Sequence, residues 1–224
     1  MTKLVLIERL LSRPSVFPKA ELASEDGLLC FSDQLSVELL VDAYSHGIFP
    51  WPQEGYPIMW FSPDPRGILV NDKLHKSKSQ LKSEKKLLSH CRFERNSRFE
   101  EVIRGCATVV RKGQAGTWIT PKMVEVYINL NSVGAAESFE LIDEGDQLVA
   151  GLYGVRLKNY FSAESMFGTK PDSSKIVLSY ASTLLASEGV TWIDTQMLTQ
   201  VTSQLGAELI SRNQFLILLR EALH

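Results

Sequence analysis

Apolar side chains recur at helical spacing in four stretches of the chain and at strand spacing in four others. Val37, Leu40, Val41 and Tyr44 follow i, i+3, i+4, i+7, with Asp33 placed to cap the helix and Gly47 where it would stop. Thr120 followed by Pro121 supplies a cap and an N1 proline to a second helix, whose face Met123, Val124, Tyr127 and Leu130 ends at Gly134. Asp172 or Ser173 caps a third helix through about Ser187 (Ile176, Tyr180, Ala181, Leu184), closed by Gly189. Ser211 opens the last, carrying Phe215, Leu218 and Leu219. Strand patterns cover Ser138–Ile142, Leu148–Val155 and Asn159–Met166, the first two joined by an Asp143-Glu144-Gly145-Asp146 turn, and a short fourth strand covers Val190–Thr195. From residue 138 the order is strand, strand, strand, helix, strand, helix, which predicts an α/β layer built on an antiparallel meander. There is no internal repeat.

Ahead of these elements lies a different kind of segment. Pro50, Pro52, Pro57, Pro63 and Pro65 are five of the nine prolines, interleaved with Phe49, Trp51, Tyr56, Trp60 and Phe61. So much proline excludes a helix. It leaves either a surface loop packed on its own aromatics or a rigid loop presenting flat side chains to a planar ligand, a use to which proline's lowered ordering entropy is suited.

The 224 residues, 44% hydrophobic and 22% charged, are enough for one large domain or two small ones with a sizeable core. The longest early apolar run, Leu4 to Ile7, is too short for a signal peptide or a membrane span, so the protein reads as cytoplasmic and soluble. Cys30, Cys91 and Cys106 lack C-x-x-C spacing and read as reduced structural thiols. A net charge of -2 argues against a generally basic nucleic-acid binder. The average hides an asymmetry, because Lys73 to Arg95 holds eight cations against Glu84 and Glu94, a net +6 that leaves -2 - 6 = -8 elsewhere. Such a strip is either a solvated face or a phosphate-binding one.

Signatures for common chemistries are absent: no G-x-S-x-G, G-x-G-x-x-G, P-loop or H-E-x-x-H, and four scattered histidines without metal-ligand spacing. No metal or other cofactor is predicted. Met166-Phe167-Gly168-Thr169-Lys170 is a poor pyrophosphate turn, which argues against acyl-CoA acetyl transfer. More informative are polar residues among apolar ones. Glu164 lies between Phe161 and Met166, and Asp194 ends a hydrophobic strand with Gln196 two residues on, so alternation puts that carboxylate and amide on one side at the strand's C-terminal end. Each alone is equally consistent with a satisfied structural group.

Several strings carry a family resemblance. Ala43-Tyr44-x-x-Gly47-Ile48-Phe49-Pro50-Trp51, Trp60-x-Ser62-Pro63-x-x-Arg66, Gln114-Ala115-Gly116-Thr117-Trp118-Ile119-Thr120-Pro121, Gly151-Leu152-Tyr153-Gly154-Val155, Glu164-Ser165-Met166-Phe167, Ser174-Lys175 and Asp194-x-Gln196 together resemble leucyl/phenylalanyl-tRNA-protein transferases, in register from about residue 28 to the C-terminus. The resemblance implies an α+β fold: a small N-terminal domain (1–70), a basic connecting segment (71–100) and a C-terminal acetyltransferase-like domain (101–224). It implies an enzyme that transfers Leu or Phe, and less well Met, from aminoacyl-tRNA to proteins beginning with Arg or Lys, marking them for degradation by the N-end rule in the bacterial cytoplasm, and acting as a monomer away from membranes.

Matched position by position, it makes Asp194 and Gln196 the catalytic pair and Trp51 and Trp118 the platform for the 3'-terminal adenosine, each stacking contact being worth roughly 1 to 3 kcal/mol. Phe161, Met166, Leu178 and Ile193 would form an apolar pocket for the donor side chain, with Glu164 at its polar edge. Lys76, Lys78, Lys82, Lys85 and Lys86 would follow the acceptor-stem phosphates. Thr195, Gly168-Thr169-Lys170 and Val201-Thr202-Ser203-Gln204 depart from the family pattern. The readings left open are transfer to N-terminal Asp or Glu, and a non-catalytic aminoacyl-tRNA binding module.

Overall fold

The computed structural model describes residues 3–53, 55–109 and 117–224. In chain order the elements are α1 (Lys3–Leu11), β1 (Leu28–Ser32), α2 (Val37–Ser45), β2 (Phe49–Trp51), β3 (Ile58–Phe61), β4 (Arg66–Val70), α3 (Lys78–Leu88), β5 (Cys91–Arg95), α4 (Phe99–Thr108), α5 (Pro121–Ser132), β6 (Ala136–Asp143), β7 (Leu148–Leu157), β8 (Tyr160–Gly168), α6 (Ser173–Ser187), β9 (Trp192–Gln196), α7 (Gln200–Gln204), β10 (Glu208–Ile210) and α8 (Arg212–Leu223). A three-stranded antiparallel sheet has the order β1-β3-β2, and a seven-stranded sheet the order β10-β4-β9-β8-β7-β6-β5. Among the described residues, only β8 and β9 pair in parallel. The result is an α+β fold in which a small antiparallel sheet accompanies a large mixed one.

Helix starts follow local chemistry. Thr120 accepts from the Met123 N–H ahead of Pro121, and Ser211 and Gln214 form a reciprocal capping box. The first predicted cap is displaced by one turn: Ser36, not Asp33, accepts from the Leu39 N–H. Gly47, which follows that helix, has φ +76°, and a Cβ there would lie 2.8 Å from Leu216 and 2.9 Å from Phe215, so α2 can turn toward α8 only at a glycine.

The proline-rich segment forms two short strands. Phe49, Pro50 and Trp51 pair with Phe61, Trp60 and Met59. Trp60 is fully buried and donates its indole N–H to Ser32 Oγ at 2.8 Å, so its large apolar surface is sequestered without an orphaned donor. The core beneath this sheet is continuous with that of the large sheet: Tyr44, Trp60, Tyr127, Tyr153 and Phe215 belong to one buried cluster. A second cluster, on Leu69, Phe139, Phe161, Leu178 and Ile193, lies under α6 on the other face. Cys106 is in the first core, Cys30 and Cys91 are half-buried, and none of the three forms a disulfide.

Two expected boundaries differ. Residue 70 was the expected end of the first domain, but β4 (66–70) pairs with β9 and β10 and is an interior strand of the large sheet. Residues 71–100, expected as a connection, supply α3 and the edge strand β5. Gln80 bonds Ser179 and Ser83 bonds Asp172, tying α3 to α6. Among the described residues, no helix is long and apolar enough to cross a membrane.

Close packing is tightest where β7 passes β8. A Cβ on Gly154 would sit 2.2 Å from the Ser162 carbonyl oxygen and 2.5 Å from the Phe161 ring. Gly154→Ala is therefore expected to destabilise the fold by about 1 to 3 kcal/mol or to abolish soluble expression, with chemical denaturation as the check; an unchanged midpoint would show that β8 can give way.

Candidate active site

A single register position separates paired from unpaired backbone at the centre of the large sheet. β8 and β9 are matched at Phe161 with Ile193 and at Ser162 with Asp194, and beyond these they part. Each strand is also bulged here. On β8, Ala163 faces Gly154 and Ser165 faces Tyr153, leaving Glu164 as the extra residue. On β9, Asp194 faces Ile68 and Gln196 faces Gly67, leaving Thr195 extra, and Gln196 has φ +54°. Bulges re-aim side chains. Here they bring Ser162, Glu164, Asp194 and Gln196 into one hydrogen-bonded cluster.

A cavity of about 530 Å³ opens where the strands diverge. Its walls come from β2, the approach to α5, β8, α6 and the segment after β9, and they are mainly apolar. Glu164 is the only charged residue among the described ones that line it.

Behind the cavity lies an ion pair with no exposure on either partner. Arg66 Nε donates to Asp194 Oδ1 at 2.9 Å and Nη2 to Oδ2 at 2.7 Å, while Nη1 donates to the Gly47 carbonyl at 3.1 Å. The guanidinium lies between the rings of Phe49 and Phe215, 4.8 and 4.4 Å from their centroids. Burial pulls the guanidinium down and the adjacent Asp194 carboxylate more than reverses it, so Arg66 ends above its usual value. Asp194 also accepts from Tyr160 Oη at 2.6 Å and from the Gln196 backbone N–H at 2.9 Å. Its oxygens are thus committed to protein donors, and it is not on the cavity wall.

Gln196 is. Its side-chain nitrogen donates to Ser162 Oγ at 2.8 Å and to Glu164 Oε1 at 2.9 Å. With both amide hydrogens used, the remaining polar atom is the carbonyl oxygen, an acceptor. Glu164 Oε1 also accepts from Ser162 Oγ at 3.1 Å, and Oε2 from Tyr127 Oη at 3.2 Å. Burial pushes the Glu164 carboxyl up to about 7, against the opposing bonds from Tyr44 and Ser162. It can therefore take up or give back a proton near neutrality, and it is the carboxylate that lines the cavity.

The other predicted positions divide. Trp51 from β2 and Trp118 ahead of α5 come together, ring centroids 6.0 Å apart and tilted by 34°, and both line the cavity. They already touch, so a flat ligand would stack on the outer face of the pair. Gln114, Ala115 and Gly116 lie outside the described residues. Met166 and Leu178 line the cavity, but Phe161 and Ile193 do not: they face the second core, because alternation turns them away from Ser162 and Asp194. Apolar lining missed by the sequence comes from Phe49, Leu152, Phe167, Met197 and Val201.

The basic strip is half neutralised. Lys73 pairs with Glu208, Lys76 with Glu84 at 2.8 Å, Arg92 with Glu94 and Asp146, and Arg95 with Glu137 and Glu188. Lys78, Lys82, Lys85 and Lys86 are exposed on α3 and, among the described residues, have no carboxylate within ion-pair distance. Lys76 is thereby set apart from the other four.

Residues 68–220 match a family model described as leucyl/phenylalanyl-tRNA protein transferase, and residues 33–64 match the model of that family's N-terminal domain. The leucyl/phenylalanyl-tRNA--protein transferase of Maridesulfovibrio salexigens is 44% identical over 219 residues, covering 98% of this chain and 90% of its own. That of Chromobacterium violaceum is 44% identical over 208 residues, covering 92% and 88%. Among solved structures FemX aligns with a TM-score of 0.50 and 9% identity, over 78% of this chain and 66% of its own, a likeness of fold.

The Glu164 carboxyl has a consequence for stability. Its folded value of about 7 lies above the unfolded 4.5, so between those values the native state holds a proton that the unfolded state has lost. Relative to Glu164→Gln, the wild type should therefore lose up to about 3 kcal/mol as pH rises from 4.5 to 8. Thermal unfolding at pH 5 and pH 8 checks this, and parallel behaviour of the two proteins would place Glu164 at an ordinary carboxylate value. Removing one partner of the buried pair is more severe. Arg66→Ala should cost about 3 to 5 kcal/mol at neutral pH, measured by denaturant unfolding, because it leaves a carboxylate stranded.

Proposed function

The chain belongs to the leucyl/phenylalanyl-tRNA protein transferase family, aminoacyltransferases that move leucine or phenylalanine from tRNA to protein, and from that membership we propose which acceptors it uses and which of its residues carry the transfer. The acceptors are proteins whose first residue is Arg or Lys, and the added Leu or Phe serves as an N-end rule degradation signal. The protein works in the bacterial cytoplasm as a monomer. A cationic acceptor suits a cavity whose one charged wall residue among those described is acidic, on a protein that is net negative outside the strip.

In this reading the terminal adenosine stacks on Trp51 and Trp118, and the aminoacyl side chain enters the apolar region at Met166 and Leu178. A wall of this kind rejects charged side chains but separates similar apolar ones by only about 1 to 3 kcal/mol per methylene, which suits Leu and Phe with weaker use of Met. The single observation that carries the mechanism is the meeting of Gln196 and Glu164 at the strand divergence. The Gln196 carbonyl oxygen accepts a hydrogen bond from the incoming α-amine and aims its lone pair at the ester carbonyl. An α-amine has a pKa of about 7.7 to 8.0, so most of it arrives protonated and must lose that proton.

Glu164 receives the proton. The N–C bond forms, the bond from carbonyl carbon to ribose oxygen breaks, and the second proton shed by the nitrogen passes to the departing oxygen. Holding both reactants in place contributes roughly 7 to 11 kcal/mol relative to free encounter. Asp194 acts one step back: it fixes the Gln196 backbone and supplies negative potential, which supports a positioning role over direct proton removal. Phe161 and Ile193 support the pocket from beneath.

Purified protein incubated with labelled Leu-tRNA and peptides beginning with Arg, Lys, Asp or Glu should label the first two. Label confined to the acidic peptides would replace this acceptor assignment, and no label on any peptide would favour a binding module. Gln196→Ala should lower transfer at least tenfold with tRNA affinity retained. Neutralising Lys82, Lys85 and Lys86 together should weaken tRNA binding and reduce its log–log salt slope by about 1 per lysine, leaving the preference among Leu, Phe and Met unchanged; an unaltered slope would place the tRNA elsewhere.

A further inference from the structure

Two tyrosines with no exposure stand behind Glu164, one from each part of the fold. Tyr44 on α2 and Tyr127 on α5 have their hydroxyl oxygens 2.6 Å apart, and Tyr127 Oη donates to Glu164 Oε2 at 3.2 Å. A phenol has one proton to give. If Tyr127 spends its own on Glu164, the short bond between the two hydroxyls is made by the Tyr44 proton, so the chain runs from Tyr44 through Tyr127 to the carboxylate. Both phenols are held well above their ordinary range, first by burial and then by the Glu164 charge, and so remain neutral donors.

The carboxylate is thus gripped on both oxygens by different elements. Oε1 takes Gln196 from β9 and Ser162 from β8; Oε2 takes the tyrosine chain from α5 and α2. The one other charge nearby on β9 is Asp194, which disfavours a second negative charge and is itself paired with Arg66 on β4. Hydrogen bonds donated to a carboxylate stabilise its ionised form, opposing burial and Asp194. A phenylalanine at either tyrosine position would fill the same space without that effect.

We propose that Tyr127, with Tyr44 behind it, is a positioning residue that fixes the Glu164 carboxyl toward the cavity and keeps it ionisable, so that this hydroxyl pair sets the pH at which transfer begins. The inference rests on the reading of Glu164 as proton acceptor. It also ties the proton-handling group to α2, whose C-terminal turn leads directly into Trp51.

The test is the pH dependence of kcat/KM for an N-terminal Arg peptide, with Leu-tRNA as donor, in wild type, Y127F, Y44F and E164Q. The peptide's own α-amine gives every variant a limb at about 7.7 to 8.0; wild type should show a further acidic limb near pH 7 that disappears in E164Q. Y127F and Y44F should each move the limb upward by about half a unit to one unit, with KM for Leu-tRNA within about twofold of wild type. A limb near pH 7 that survives in E164Q overturns the assignment of Glu164 and this inference with it. A limb lost in E164Q but unmoved in folded Y127F and Y44F overturns the inference alone, since a purely structural role lowers stability or kcat at every pH. Should Y127F fail to fold, Y44F interrupts the same chain one bond further back, and its limb decides the question.

Discussion

A charged pair taken wholly out of water is the constraint on which the rest of the molecule depends. Arg66 and Asp194 together bear one positive and one negative charge in a region with no solvent exposure, and such an arrangement is tolerable only if nearly every donor and acceptor is met. Those demands fix the surroundings. Gly47 must offer its carbonyl, so α2 must end where it does; Phe49 and Phe215 must flank the guanidinium, so β2 and α8 converge on it; Tyr160 and the Gln196 backbone must complete the carboxylate. Elements from Gly47 to Phe215 meet around a single buried ion pair that contributes little net stability of its own. What it contributes is a unique arrangement.

The active surface arises one layer out, where regular pairing stops. Parallel strands that continued together would close over the gap, and unbulged strands would point Glu164 and Gln196 away from each other. The irregularities at Glu164 and Thr195 are therefore what turn a sheet interior into a site. They also separate two kinds of acidic group. Asp194 is saturated by donors and held beneath the surface, while Glu164, in less polar surroundings, is pushed to about 7. Two carboxylates within one hydrogen-bonded cluster thereby have different surroundings, one met by donors beneath the surface and the other set on the cavity wall.

Legibility in the sequence followed the range of the interactions. Helix starts at Thr120 and Ser211 are written in four residues and can be read in four. Asp194 and Gln196 are visible as polar residues closing an apolar strand, as is the meander, but the bulge at Thr195 that sends only Gln196 to the cavity is not. Arg66 lies 128 positions from the carboxylate it serves, and nothing local announces the bond; its place in the string Trp60-x-Ser62-Pro63-x-x-Arg66 marks it without explaining it. Tyr44 and Tyr127 were counted as apolar members of helical faces, a pattern blind to their hydroxyls. Phe161 and Ile193 have the right chemistry for a substrate pocket and the wrong parity. The basic helix α3 was hidden by its own lysines, and β4 by the glycine and prolines around it.

The rim of the cavity has a property that matters for a substrate that is itself a polypeptide. β2 is an edge strand of only three residues, and Pro50 within it and Pro52 just after it carry no amide hydrogen. Such an edge cannot extend its ladder into a visiting chain. Along β2, therefore, a polypeptide substrate meets an edge that offers it no backbone ladder to extend, and main-chain pairing there does not slow its departure once a new first residue is in place.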